Sequence, residues 1–190
     1  MPARKQTDRP DFIRHWTTLE SADDAAYEGS DELLSIGAPL GRALGLTRIG
    51  IHHERLPPGR RTSYPHAESA EEEFVFVLEG RPDAWIDGRL YPLGEGDAVG
   101  FPAGTGLCHS ILNNSDDEVR LLVAGERSKP ENRIYYPCNP EQRARRALAE
   151  ARGEQGRAPD LVGRELLELV GLEHEQLGTR WLAFGVGHPQ

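Results

Sequence analysis

Two histidines and two glutamates stand at strand starts in this sequence, where a side chain can reach a shared centre without crossing a core. His66 and Glu68 are two residues apart in "YPHAESAEEEFVFVLEG", so in an extended chain they share a face. A turn at "SAEE" returns the chain, and Glu73 opens the apolar run that follows. If Glu73 faces inward, so do Val75 and Val77, while Phe74, Phe76 and Leu78 face the other side. A carboxylate heading such a strand is costly without a partner; a cation shared with His66 would resolve the cost. A further ligand is available in "GFPAGTGLCHSILNN", where His109 follows a Gly-rich turn and opens another strand, with Ile111 and Asn113 on its face. Imidazole nitrogens and carboxylate oxygens together suit a divalent transition metal. Glu68, where it is not itself a ligand, is the natural general base beside such a centre.

The elements that must position these residues are strands. From residue 31 to about 127, "ELLSIGAP", "LTRIGIHHERLPPG", "EEFVFVLEG", "PDAWIDGRLYPL", "DAVGFPAG", "CHSILNN" and "VRLLVAGE" are short β-type runs separated by Gly, Pro, Asn and Asp. That texture predicts a sandwich or small barrel. Residues 1–30 are polar with scattered aromatics and read as an arm laid on something else. Residues 128–190 read as a helical extension. In "NPEQRARRALAEARG", Asn139 is placed to cap a helix, Pro140 suits its first position and Gly153 its end. "DLVGRELLELVG" reads as a second short helix capped by Asp160, and the tail "RWLAFGVG" is apolar enough to dock.

Bulk properties narrow the function classes. With 31 acidic and 22 basic residues the formal charge is −9, which disfavours nucleic acid and anionic membrane as partners. No apolar run reaches the ~20 residues of a membrane helix. "MPARKQTDRPDF" has no apolar secretory core, and two cysteines make no disulfide framework, so a reducing cytoplasmic setting is expected. No nucleotide-binding glycine fingerprint, GxSxG or GxxxxGK[ST] is present. Alternation turns one of His52 and His53 inward; both read as hydrogen-bonded structural histidines. Cys108 should face away from the side of His109 and reads as a small buried residue.

The two histidine-bearing stretches resemble the two motifs of the cupin superfamily, in its single-domain, metal-binding form. "GRRTSYPHAESAEEEFVFVLEG" carries the first through Gly59, His66, Glu73 and Gly80. "GDAVGFPAGTGLCHSILN" carries the second through Gly96, Pro102, Gly104, His109 and Asn113. The resemblance covers residues 46 to 125 and implies an all-β fold: a double-stranded β-helix jelly-roll barrel, here with an N-terminal arm and C-terminal helices. There are departures. The gaps from Gly59 to His66 and from Gly104 to His109 are longer than usual, and the second histidine of the first motif is absent. The family's ligands carry over as His66, Glu73 and His109 directly, and as Glu68 by position only. One divalent metal per chain is therefore expected. The harder two-His, two-carboxylate set suits Mn or Fe and accepts Zn or Ni.

Tyr64, Val75, Ile111 and Asn113 are the candidates for a small substrate pocket, Asn113 more as an orienting residue than a reacting one. The apolar outer face of Phe74, Phe76 and Leu78, with the pairing habit of the family, implies a homodimer. The function expected is that of a metal-dependent enzyme acting on a small polar metabolite, by dioxygenase, isomerase or lyase chemistry at an open metal position. The alternative is a non-catalytic cupin that binds a metal or small ligand as a sensor, storage or accessory protein. A metal-free reading, of sugar-nucleotide epimerase type, is disfavoured by the ligand spacing.

Overall fold

Alternation along the strand that Glu73 opens is as expected. Val75 and Val77 are 6% and 1% exposed, whereas Phe74 and Leu78 stay 41% and 43% exposed. The structure is a computed structural model and describes residues 9–127 and 129–152. It contains strands β1 (Ile36–Ala38), β2 (Ile49–Leu56), β3 (Ala67–Glu68), β4 (Glu73–Glu79), β5 (Asp83–Ile86), β6 (Arg89–Pro92), β7 (Ala98–Phe101), β8 (His109–Leu112), β9 (Val119–Glu126) and β10 (Ile134–Tyr135). The fold is all-β, as expected. One antiparallel sheet runs β1-β2-β9-β4-β7, a second runs β6-β5-β8, and β10 pairs with β3 as a ribbon. The inner faces meet through Leu56, Val77, Val119 and Leu121 on one side and Ala84 and Ile111 on the other, all 2% exposed or less. Each of the Leu, Val and Ile side chains contributes about 1.5–3 kcal/mol by burial, and Ala84 less.

The barrel is not closed, and proline chemistry explains part of the gap. The segment before β3 meets β8 only through two isolated bridges, Arg61 with Leu112 and His66 with His109. Four residues, Thr62 to Pro65, then oppose two, Ser110 and Ile111. Pro65 has no N–H to donate. One backbone bond survives, Thr62 N to Ile111 O at 2.9 Å, and side chains take over part of the rest of the ladder: Ile111 N donates to Thr62 Oγ1 at 3.2 Å and Ser110 Oγ to Ser63 O at 2.7 Å. The extra residue in the Gly59–His66 spacing is absorbed in this bulge, and a bulge is a means of re-aiming the side chain that follows it.

The motif glycines 59, 80, 96 and 104 all take positive φ. Gly80 shows why: at φ +91° a Cβ would also sit 2.9 Å from Val119 Cγ2 and 3.1 Å from its Cα. Three features were not expected from the sequence. Strand β10 lies within residues 128–190, the span that reads as a helical extension, and pairs with β3. The run "ELLSIGAP" yields only the three residues of β1, and a four-residue helix α1 (Leu40–Ala43) follows it.

The arm ties itself to the barrel by polar and aromatic contacts. Trp16, in a short 3-10 turn, stacks on His53 at 4.1 Å between centroids. Arg55 bridges Glu20 and Glu118, Arg60 pairs with Asp23 and Arg61 with Glu32. His53 is thus buried on the outer face, beneath the arm, and its Nδ1 has no hydrogen-bond partner among the described residues. Among those residues, that corrects the reading of a hydrogen-bonded histidine at Nδ1: the cover is an indole face, which offers no acceptor to a ring edge.

The chain divides into two units, residues 1–140 and 141–190. Helix α2 (Pro140–Ala151) is the described element of the second and opens at the expected proline. The second expected helix and the "RWLAFGVG" tail lie outside the described residues. Among the described residues no helix is long and apolar enough to cross a membrane.

Candidate metal centre

His66 and His109 exchange backbone hydrogen bonds, 3.1 and 2.9 Å, and a directly bonded antiparallel pair places its side chains side by side. β4 supplies Glu73 from the facing sheet. Ligand atoms of His66, Glu73 and His109 all lie within 4.8 Å of one another. His109 Nε2 is 2.7 Å and His66 Nε2 3.4 Å from Glu73 Oε2.

The far side of each imidazole decides what this convergence can do. His66 Nδ1 is 2.9 Å from Tyr64 O, and His109 Nδ1 is 3.0 Å from Leu107 O. A carbonyl only accepts, so each Nδ1 carries a hydrogen and each Nε2 faces the centre, with a lone pair when the ring is neutral and an N–H when it is protonated. Phe101 fixes the plane of His109 by stacking on it at 3.5 Å, 5° from parallel. Two lone pairs aimed at a carboxylate oxygen repel unless a positive charge lies among them, and a proton or a divalent cation meets that need. The donor set, two imidazoles and a carboxylate, is one that transition metals accept. Burial alone would raise the pKa of Glu73, but hydrogen bonds from His109 and His66 and their charge hold it far below the usual range. Burial works against protonation of His66, and the hydrogen bond and charge of Glu73 outweigh it, so its pKa is raised.

Glu68 is not within ligand distance of all three. It lines a pocket of about 10 Å³ together with Glu73, His109, Phe101 and Leu107, space on the scale of one water. Its backbone is held by Ile134 in the β3–β10 ribbon and by Gly104 N, which donates to Glu68 O at 3.0 Å. Burial, then the charges of Glu73 and Glu71, push its carboxyl up to about 7.

The other expected pocket residues lie elsewhere. Val75 and Ile111 belong to the apolar core. Tyr64 is covered by Tyr27 of the arm, stacked at 4.1 Å. Asn113 is fully buried and its amide is spent on the chain itself: Nδ2 donates to Leu56 O at 2.7 Å and Asp117 O at 2.8 Å, and Oδ1 accepts from Ser115. Cys108 is buried, as expected.

Sequence reasoning missed several residues. Tyr136 lies 5.8 Å from the His66 ring and edge-on to Tyr27; both tyrosines reach the site by long-range packing and carry no local signal. Glu54, on the inner face of β2, accepts from Ser35 Oγ at 2.6 Å, and burial pushes its pKa up with help from the charge of Glu73. Strand alternation from Leu56 was the available signal for Glu54.

Comparison with known proteins agrees with this geometry. Residues 52–125 match the family described as Cupin domain. A putative sugar phosphate isomerase from Acidithiobacillus ferrooxidans is 35% identical, with a TM-score of 0.52 over 54% of this chain and 65% of that one. A sugar phosphate isomerase of the cupin superfamily from Silicibacter pomeroyi is 34% identical, with a TM-score of 0.53 over 55% of this chain and 66% of that one. Polyketide synthase CurC of Streptomyces cyaneus is 35% identical over 65 residues, 34% of this chain and 40% of that protein. The chain therefore carries a cupin domain. It spans just under two-thirds of each of the two solved structures and two-fifths of the curated relative.

Proposed function

We propose that the protein is a metal-dependent cupin enzyme that acts on a small polar metabolite at His66, Glu73 and His109. The observation that carries this reading is the pair of Nδ1–H···O=C anchors, which leave two imidazole lone pairs and a carboxylate oxygen converging on one point. A bound divalent metal would supply Lewis-acid polarisation of a substrate oxygen. The chain's own residues do the rest. His66, Glu73 and His109 hold the cation; Phe101 keeps the His109 ring in register; Glu68 holds or moves a proton beside the centre. Of the chemistries open to the fold, isomerisation of a sugar phosphate is favoured by the two solved relatives described as such isomerases.

Metal analysis of the full chain, purified without chelator, tests the reading. Near-stoichiometric transition metal is expected, and His109→Ala should lose it. If His109→Ala keeps full occupancy and affinity, the centre is wrong. Should the wild type bind metal yet turn over no sugar phosphate, the non-catalytic alternative takes its place.

A further inference from the structure

The inner face of the five-stranded sheet has a bare lane at the level of the candidate centre. Gly50 of β2, Gly125 of β9 and Glu73 of β4 stand in one row. Strands lie about 4.8 Å apart, so Gly50 is roughly 10 Å from Glu73. The one intervening position in that row, Gly125, is a glycine, as is Gly50 at its end, so neither puts a side chain into the lane. At Gly125 a Cβ would sit 3.6 Å from Glu73 Cγ and 3.3 Å from Glu72 O.

Beyond Gly50 the lane ends in a pocket of about 310 Å³, lined by Ser21, Gly37, Arg42, Gly50, His52 and Arg127. That is at the lower end of small-molecule sites. The charges there are uncompensated in a chain whose net charge is −9. Neither Arg42 nor Arg127 has a carboxylate partner among the described residues. Arg127 is instead anchored by carbonyls: its Nη2 donates to Leu46 O at 3.0 Å and its Nε to Ile49 O at 3.4 Å. Arg42 is held over β2 because α1 lies flat on that strand; a Cβ at Gly41 would be 2.8 Å from Ile51 N. By contrast Arg55 and Arg120 on the same sheet are both tied to glutamates. One carboxylate, Glu126, also borders the pocket, but Lys129 Nζ at 2.5 Å and Glu72 N at 3.2 Å already engage it. His52 makes no hydrogen bond among the described residues. Burial and the two arginines lower its pKa, so it offers a neutral ring N–H.

We infer that Arg42, His52 and Arg127 bind the phosphate group of a phosphomonoester substrate, whose far end crosses Gly50 and Gly125 to reach His66, Glu73 and His109. Guanidinium groups suit a phosphate dianion because their N–H groups match its oxygens in pairs. A linear metabolite of roughly five or six carbons has the reach. The inference rests on the proposed metal centre only for where the far end goes.

Titration of inorganic phosphate into the full chain as purified, followed by NMR of the His52 ring, is the test. Saturable binding that raises the His52 pKa is expected, with acetate at equal ionic strength far weaker. Arg42→Gln, at an exposed position, should weaken phosphate at least roughly tenfold and leave Mn²⁺ affinity by calorimetry unchanged. His52→Asn should weaken it as well. Phosphate that leaves His52 unmoved, acetate that binds as well, or Arg42→Gln binding like wild type would each overturn the pocket. Phosphate binding with the expected variant losses in a chain that takes no Mn²⁺ would uphold the pocket and sink the metal centre instead.

Discussion

Glu68 and Glu73 bring the same carboxyl group into opposite surroundings. Glu73 accepts from two imidazoles and keeps its charge far into acid. Glu68 is partly buried and faces two other carboxylates, so its pKa is raised to about 7. A carboxyl that binds its proton more tightly in the folded state adds stability while protonated, and that stability is lost as pH climbs from the ordinary 4.5 through 7. Glu68→Gln removes this dependence. In metal-free protein, urea unfolding at pH 5 and pH 8 should show the wild type losing on the order of 1 kcal/mol more than the variant across that interval, after allowance for solvent screening. Equal pH slopes would mean that Glu68 titrates normally. The same variant separates the two roles open to Glu68: falling metal occupancy marks a ligand, whereas full occupancy with lost turnover marks a proton-transfer residue.

Strand ends matter more than strand middles in this barrel. Asn113 stands just past β8, and its amide bonds the end of β2 at Leu56 and the turn into β9 at Asp117. Asn113→Ala leaves those carbonyls without their donor in a fully buried site and should cost roughly 2–4 kcal/mol by denaturant unfolding. Metal affinity of the folded fraction should hold, since Asn113 does not touch the centre. The bulge between Arg61 and His66 teaches the same lesson. Its extra residue was visible in the motif spacing. That Thr62 and Ser110 hydroxyls would replace ladder bonds was not, because the replacement depends on which strand lies opposite.

At the scale of the whole molecule the arm is the least local feature. It reaches the outer face through Trp16 on His53 and the segment before β3 through Tyr27 on Tyr64. Loss of one such stack costs about 1 kcal/mol. Trp16→Ala should therefore raise amide exchange in residues 9–35 by roughly fivefold or more, with β8 and β9 unchanged; uniform exchange across both would show that the arm is not a separable unit. A second copy of the chain is the partner expected for the outer face, where Ile49, Phe74 and Leu78 are 41–43% exposed beside a groove of about 760 Å³ floored by Gly100 and Ala124. Light scattering at micromolar concentration should give the mass of a dimer, and Phe74→Glu should shift it to the monomer. A monomeric wild type would remove this proposal.

Period and punctuation alone determined much of this protein. Two-residue alternation put Glu73, Val75 and Val77 on one face, turn residues bounded most of the strands, and the resemblance of two short motifs implied His66, Glu73 and His109 as candidate ligands. The first two are short-range properties, set by backbone geometry and by the turn residues themselves. Tertiary structure decided what depends on strand order. It put Phe101 against His109, Tyr136 beside His66, Ser35 on Glu54, and Arg42 with Arg127 around His52. It also set Glu68 outside the three-residue cluster, although alternation had aligned it with His66. The pairing of β3 with β10 fixes the backbone at Glu68, and that pairing joins residues more than sixty positions apart. A period read along one strand has no access to the strand that lies beside it.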